Sequence, residues 1–370
     1  MQKIVINGLQ YKKNSSGIGV MIRELFSRYA SMSDHPCEIV LCRNIADFPA
    51  NGKTSLHFVP CDYEQGLRRM LYQLFELGKR CDNALLLTTD AKTPLFLPRS
   101  CRVLPLVTDL ALYRMPEAYQ SSRVLLWKLQ YRYLRRKSSR FLAISEFTKR
   151  EIAEILGVPA ERVDVVPCAC GEQMCRVTDG QRLQKLRAKY ALPEHFVLFV
   201  GNTNPRKNLA RLIRAFDMAK AQGLPHQLII AGGQGWKFDQ GSVLSDIHNK
   251  EAVRFIGFVP DEDMPALYSA ADAFLFPTLY EGFGIPVLEA QRCGTPVLTS
   301  NTSSLPEVGG DGALYVDPYG VADMAHGIQR ILEDTALAAR IVDSGYRNAE
   351  RFSWEKAAEK LNRIIEEEFR

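Results

Sequence analysis

Short apolar, β-rich runs alternate with helical patterns, the alternation stops, and then it starts again. The first series of runs is "KIVIN" (3–7), "EIVLC" (38–42), "LHFVP" (56–60), "ALLLTT" (84–89), "RVLPLV" (102–107), "RFLAIS" (140–145) and "VDVVP" (163–167). Several are unbroken Val/Ile/Leu/Phe stretches, as expected of strands covered on both faces in a parallel sheet. Helical stretches at 18–30, 65–80, 118–137 and 146–156 separate them, which makes repeated β-α units. Around 168–195 the pattern breaks into a loop and a polar helix, "DGQRLQKLRAKYAL", closed by Pro193. The second series follows: "FVLFVG" (196–201), "QLIIAGG" (227–233), "VRFIGF" (253–258), "AFLFPT" (273–278), "PVLTS" (296–300) and "ALYVDP" (313–318). The pattern predicts an α/β protein of two doubly wound, Rossmann-like halves, 1–170 and 171–352. The tail 353–370, "SWEKAAEKLNRIIEEEF" and a last Arg, reads as a helix with Ser353 as N-cap and Glu355 and Lys356 in its first turns. It is expected to pack back towards the first half.

A chain of 370 residues is comfortable for two domains. The net charge of +5 permits an anionic small molecule or an anionic membrane surface and does not argue for nucleic acid. "MQKIVINGLQ" lacks the apolar core and small-residue cleavage site of a signal peptide, and no run approaches the ~18 apolar residues that span a bilayer. Nine scattered cysteines, an odd number, fit a reducing compartment, so a cytoplasmic protein is expected. Cys168, Cys170 and Cys175 in "PCACGEQMC" match no paired zinc spacing and have no histidine close by. They read as free loop thiols, and no metal site is expected.

In doubly wound sheets the ligand lies beyond the carboxyl ends of the strands, and the unusual residues of this chain follow strands. In "NGLQYKKNSSGIGVMIREL" (7–25), Gly17 and Gly19 open an amphipathic helix whose first N–H groups suit an anion. A dinucleotide fingerprint would need glycine at Ile22, and a merely tight turn would give the same pattern. In "VGNTNPRKNLARLIRAF" (200–216), Gly201 ends a strand and Arg206 and Lys207 precede a helix with Asn208 as the expected N-cap. Two cations at a helix start oppose its dipole; a diphosphate would justify them, and a solvated basic turn is the alternative.

"LYEGFGIPVLEAQRCGTPVL" (279–298) sets Glu281 before Gly282, Phe283 and Gly284, with Pro286 in the first helical turn, Glu289 one turn in and Gly294 at the stop. Carboxylates accept bonds from sugar hydroxyls, and amides bind phosphate or sugar oxygens. Compensation of the helix dipole would explain Glu289 alone. "QLIIAGGQGWKF" (227–238) either holds a nucleotide or turns the chain. Asp109, directly after a buried strand, suits a reacting sugar or an N-cap. The basic stretch 121–141, with Trp127, Tyr131 and Tyr133, is either a membrane-surface helix or a core helix with a solvated face.

Taken in order, "GIG", "SEFTKREI", "PRKN", "AGGQGW", "FIGFVPDEDMPALYSAADAFLFPTLYEGFGIPVLEAQRCGTPVLTSNTSSLPEV" and "YVDPYG" resemble the retaining glycosyltransferases of family 4. The chain is similar in particular to the mannosyltransferase-like members that build bacterial O-antigen and other surface polysaccharides. The likeness runs over nearly the whole chain, is densest over 196–355, and includes the family's E-x7-E element at Glu281 and Glu289.

The resemblance implies the GT-B fold, two Rossmann-like domains facing each other across a cleft. It also implies a nucleotide-sugar donor, GDP-mannose as first choice, and retention at the anomeric carbon without a metal or other cofactor. By the same resemblance, Arg206 and Lys207 bind the donor diphosphate, and Gly201 lies beside it. Glu281 with the backbone of Gly282, Phe283 and Gly284 holds the sugar, Glu289 holds the ribose, and Phe258 and Val259 lie near the base. Gly17 and Gly19 approach the diphosphate or the acceptor, and Asp109 the reacting sugar.

The implied acceptor is a lipid-linked saccharide, carried on polyprenyl diphosphate, with possible peripheral contact on the inner face of the membrane. The sequence departs from the family pattern at Thr108, where many relatives have histidine, and at Asn202, where many have arginine. A UDP-sugar transferase of the same fold is the alternative, and an NAD-dependent oxidoreductase the alternative of another class.

Overall fold

The computed structural model describes residues 2–12, 17–45, 48–49, 54–233, 235 and 238–370. Within the expected ligand loops, residues 13–16, Gln234, Trp236 and Lys237 therefore lie outside the described residues. The chain divides into two compact units: Met1–Cys168 with Ser353–Arg370, and Ala169–Phe352.

The first unit is built on a seven-stranded sheet. Its strands are β1 (Lys3–Asn7), β2 (Cys37–Cys42), β3 (Thr54–Val59), β4 (Ala84–Thr89), β5 (Arg102–Val107), β6 (Phe141–Ala143) and β7 (Val163–Val165). They lie in the order β3-β2-β1-β4-β5-β6-β7, and every pairing is parallel. β2 and β4 are buried at all positions, as their mostly apolar sequences require, and the buried Glu38 of β2 is paired with Lys3 and Arg80. Each Leu or Ile so buried contributes roughly 1.5–3 kcal/mol. β3, at the sheet edge, is half exposed.

The last helix of the chain, Trp354–Phe369, belongs to this unit and packs on the helix Ile18–Met32. Ser353 Oγ accepts the Lys356 N–H at 3.1 Å, which caps it. Its apolar stripe of Trp354, Ala357, Ala358, Leu361, Ile364 and Ile365 is buried, and Arg28 donates to Glu355 at 2.6 Å beside it.

Two helical expectations shift. The stretch 65–80 is not one helix: an α-helical piece, Gly66–Leu71, passes into a π-turn, Tyr72–Glu76, and a 3-10 turn, Leu77–Arg80. A Cβ on Gly78 would lie 2.0 Å from the Phe96 carbonyl, so this segment bends to the close approach of a neighbouring loop. The helix expected from 118 begins at Ser121, because Tyr119 and Gln120 are extended after the turn Pro116–Ala118.

The second unit holds β8 (Phe196–Val200), β9 (Gln227–Ala231), β10 (Val253–Gly257), β11 (Ala273–Phe276), β12 (Val297–Ser300) and β13 (Leu314–Val316). Their order is β10-β9-β8-β11-β12-β13, again all parallel. The strand order reverses between β8 and β11, and a crevice opens at such a point beyond the carboxyl ends of the strands.

Candidate active site

The loops after β8 and β11 flank that switch point, and they carry the expected donor residues. After β8 the chain runs through Gly201 and a 3-10 turn, Pro205–Lys207, into the helix Leu209–Lys220. Asn208 occupies the N-cap position but does not cap, a correction to the sequence expectation. It is left-handed (φ +59°), and its amide donates instead to the carbonyls of Pro277 at 2.9 Å and Pro318 at 2.6 Å. One side chain thus ties the loops after β8, β11 and β13 together. Leu279 N–H donates to the Arg206 carbonyl at 2.9 Å, a second tie between the same two loops.

Lys207 and Glu281 meet across the switch point. The ammonium lies 2.9 Å from Glu281 Oε1, both side chains are nearly buried, and the same ammonium sits 4.6 Å from the centre of the Phe276 ring. Glu281 is held from behind: its N–H donates to Ser303 Oγ at 3.2 Å, while Ser304 Oγ donates to the carbonyls of Glu281 and Phe283 at 2.9 and 2.7 Å. These two serines were not singled out from the sequence. The only signal was a polar "NTSS" directly after a buried strand.

Gly284 has φ +115°, and a Cβ there would lie 2.7 Å from Leu305 Cδ2, so glycine is required. It leads into the helix Ile285–Arg292, whose start no side chain caps. Of its first positions, Pro286 has no N–H and Val287 N–H donates to the Gly284 carbonyl at 3.0 Å. Pro286 and Gly294 (φ +68°) bracket the helix as expected.

Glu289 is half-buried, one turn into this helix. Tyr268 OH donates to its Oε2 at 2.8 Å. Burial pushes the Glu289 carboxyl up to about 7; the Tyr268 bond opposes the shift and the Asp261 charge adds to it. No local pattern pairs Tyr268 with Glu289, 21 residues away.

The loops after β8 and β9 lie backbone to backbone. A Cβ on Gly232 would stand 2.1 Å from the Gly201 carbonyl, and one on Gly235 2.0 Å from the Thr203 carbonyl. Gly235 N–H donates to Thr203 Oγ1 at 2.8 Å, and Gly233 N–H to Asn202 Oδ1 at 3.2 Å. Asn202 is therefore used to hold the neighbouring loop. At the end of β10, Phe258 is 56% exposed while Val259 is buried, and Gly257 bonds back to Gly232 N–H at 2.8 Å.

In the first unit the expected residues also follow strands. Gly17 (φ +66°) stands at the N-cap of Ile18–Met32 without a side-chain cap, and Gly19 is buried in its first turn. Asp109 follows β5 and accepts the Ala111 N–H at 3.0 Å, the turn-capping use left open by the sequence. Thr108 is buried; its N–H and its hydroxyl both lie 2.7 Å from Asp90 Oδ1. Asp90 itself is left-handed (φ +53°) and faces Lys92 at 3.4 Å.

Two families match the chain. "Glycosyltransferase Family 4" matches residues 15–170, and "Glycosyl transferases group 1" matches residues 184–348. "O-antigen chain mannosyltransferase B" of Escherichia coli is 34% identical over 250 residues, 67% of this chain and 65% of that one. "Serotype-specific mannosyltransferase WbdA" of Escherichia coli is 32% identical over 227 residues, 60% of this chain and 28% of that one. The chain thus matches under two thirds of one relative's length and under a third of the other's. The solved sucrose-phosphate synthase of Thermosynechococcus elongatus shares the fold at a TM-score of 0.77 and 19% identity, over 100% of this chain and 99% of that one. Each unit thus matches a glycosyltransferase family model in sequence, and the whole chain shares the two-domain GT-B fold of the solved enzyme.

Proposed function

We propose that this protein moves α-mannose from GDP-mannose to a saccharide acceptor, a polyprenyl-diphosphate-linked intermediate of O-antigen or lipopolysaccharide assembly. The transfer proceeds with retention and without a metal. The observation that carries the reading is the Lys207–Glu281 pair at the β8/β11 switch point, beside a helix start that no side chain caps. The choice of mannose and of acceptor is supported by the relatives' names.

As the nucleoside diphosphate leaves, negative charge grows on the β-phosphate and positive charge on the sugar ring. Arg206 and Lys207 take the phosphate charge from fixed positions, with no reorganisation at the moment of reaction. Glu281 and the backbone of Gly282, Phe283 and Gly284 hold the sugar hydroxyls, and Glu289 accepts from the ribose. Phe258 and Val259 lie along the base, and Gly201 lets the diphosphate approach the backbone. The acceptor hydroxyl attacks the face from which the diphosphate departs, and the leaving phosphate takes its proton.

Contact with a membrane belongs to the same proposal. Among the described residues no helix is long and apolar enough to cross one. The first unit does expose Leu67, Met70, Leu71, Phe75, Leu95 and Phe96, and on the helix Ser121–Lys137 also Leu125 and Leu129 among arginines and lysines. Apolar side chains set among cations suit an anionic bilayer surface.

A donor panel tests the reading. GDP-mannose, UDP-glucose, UDP-galactose and UDP-N-acetylglucosamine are each followed by donor hydrolysis and by thermal shift, with and without EDTA, since a bound donor raises the melting point by mass action. GDP-mannose alone should respond, with turnover unaffected by EDTA. A response to a UDP-sugar instead overturns the mannose assignment, and turnover that requires added Mg2+ or Mn2+ overturns the metal-free one.

A further inference from the structure

The sheet of the second unit has a second edge, at the amino ends of its strands, and three ligand-type side chains converge there. His195 immediately precedes β8, His226 precedes β9 and Asp272 precedes β11, and these three strands are neighbours. Strands of five residues place this edge roughly 16 Å from the donor loops at the other end. His195 Nδ1 lies 3.6 Å and His226 Nε2 3.5 Å from the same oxygen, Asp272 Oδ2, and the three atoms lie within 4.8 Å of one another.

Both separations exceed an ordinary N–H···O bond. They match the spacing between neighbouring ligands of a tetrahedral zinc ion, roughly 3.3–3.6 Å for bonds of about 2.0–2.2 Å. Asp272 Oδ2 also accepts the Phe196 N–H at 2.9 Å, the kind of outer bond that fixes a ligating carboxylate. His226 is about nine-tenths buried, and its Nδ1 has no hydrogen-bond partner among the described residues, so its polar engagement is through Nε2, towards the cluster.

We propose that His195, His226 and Asp272 form a zinc-type metal site that pins the starts of β8, β9 and β11 and takes no part in sugar transfer. Two imidazoles favour zinc or a similar transition ion over magnesium or calcium. The half-exposed His195 side leaves the fourth position to water. The site was not legible in the sequence, where the three residues are scattered and match no ligand spacing. It stands independently of the proposed transfer reaction.

The test is a Zn2+ titration of the full chain after EDTA treatment and desalting, read by calorimetry and by melting temperature. Cys175→Ser serves as the parent, because Cys175 is the one exposed thiol among the described cysteines. The parent should bind one equivalent and gain melting temperature. His195→Ala should bind at least about tenfold more weakly, since loss even of outer-shell partners costs 10–100-fold. It should also lose the thermal gain, and its exposed side chain makes this variant safe for folding; His226→Ala should behave alike. Absence of binding by the parent overturns the site, as does binding that His195→Ala leaves unchanged. Zn2+ binding seen in the wild type but abolished by Cys175→Ser likewise overturns it, because the ligand would then be the thiol.

Discussion

At the scale of the residue, Lys207, Glu281 and Glu289 carry the sharpest expectations. Lys207→Ala should lower kcat about 100-fold or more, the usual cost of one transition-state donor, while GDP still binds. Single-turnover kinetics with saturating donor will show it. A rise in KM with kcat unchanged would mean that Lys207 only holds the substrate.

The proposed role of Glu289 links donor binding to pH. Burial raises its carboxyl pKa from 4.5 to about 7 in the folded chain, so the native state keeps a proton that the unfolded chain has released. Stability therefore falls as pH rises from 4.5 to about 7. Glu289→Gln should be more stable than the wild type at about pH 8 and no more stable near pH 4.5, as measured by chemical denaturation. Hydroxyl donors prefer the ionised carboxylate, so GDP affinity in the wild type should climb between about pH 6 and pH 8. It should stay flat in the glutamine variant.

At the scale of the element, the site is a set of loops held together by their backbones. Gly232→Ala would place a Cβ 2.1 Å from the Gly201 carbonyl at φ +144°, and should cost about 1–3 kcal/mol. Because those atoms belong to the donor loops, GDP-dependent thermal shift should weaken along with the melting temperature. Asn208→Ala removes two buried amide bonds and sets alanine, less tolerant than asparagine, in the left-handed region, and should cost a similar ~1–3 kcal/mol. Asn208→Gly, which relieves the backbone alone, should recover only part of that loss.

These elements also mark what a sequence can say. Buried parallel strands such as "ALLLTT" and "FVLFV" announce themselves, because burial on both faces demands an unbroken apolar run. Their observed bounds differ from expectation by one or two residues, as at β6, Phe141–Ala143. Gly284 and Pro286 were legible because each answers a local backbone demand. Asn208 looked like a cap because asparagine usually is one, and the pull of two distant carbonyls decided otherwise. The Tyr268–Glu289 bond, the Ser303 and Ser304 brace and the His195–His226–Asp272 cluster depend on strand order, which no local pattern encodes.

At the scale of the whole molecule, each unit has its own core and sheet. The fragment 169–352 should therefore fold alone and bind GDP, which thermal shift on the purified fragment will check. The first unit should not survive loss of the tail in the same way. Truncation after residue 352 removes the buried stripe of Trp354, Leu361, Ile364 and Ile365 and bares the face of Ile18–Met32 that it covers. Limited proteolysis should then cut the first unit well before the second.

The same arrangement sets an order of events during synthesis. The apolar face of Ile18–Met32 emerges from the ribosome early, and its covering helix is separated from the rest of the first unit by Ala169–Phe352. At about 5–20 residues per second, that intervening stretch takes roughly 10–40 s to appear. Throughout that interval the first unit waits with a sticky surface open while the second is still being made. The first unit is thus the half of the nascent chain that chaperones and proteases have time to find.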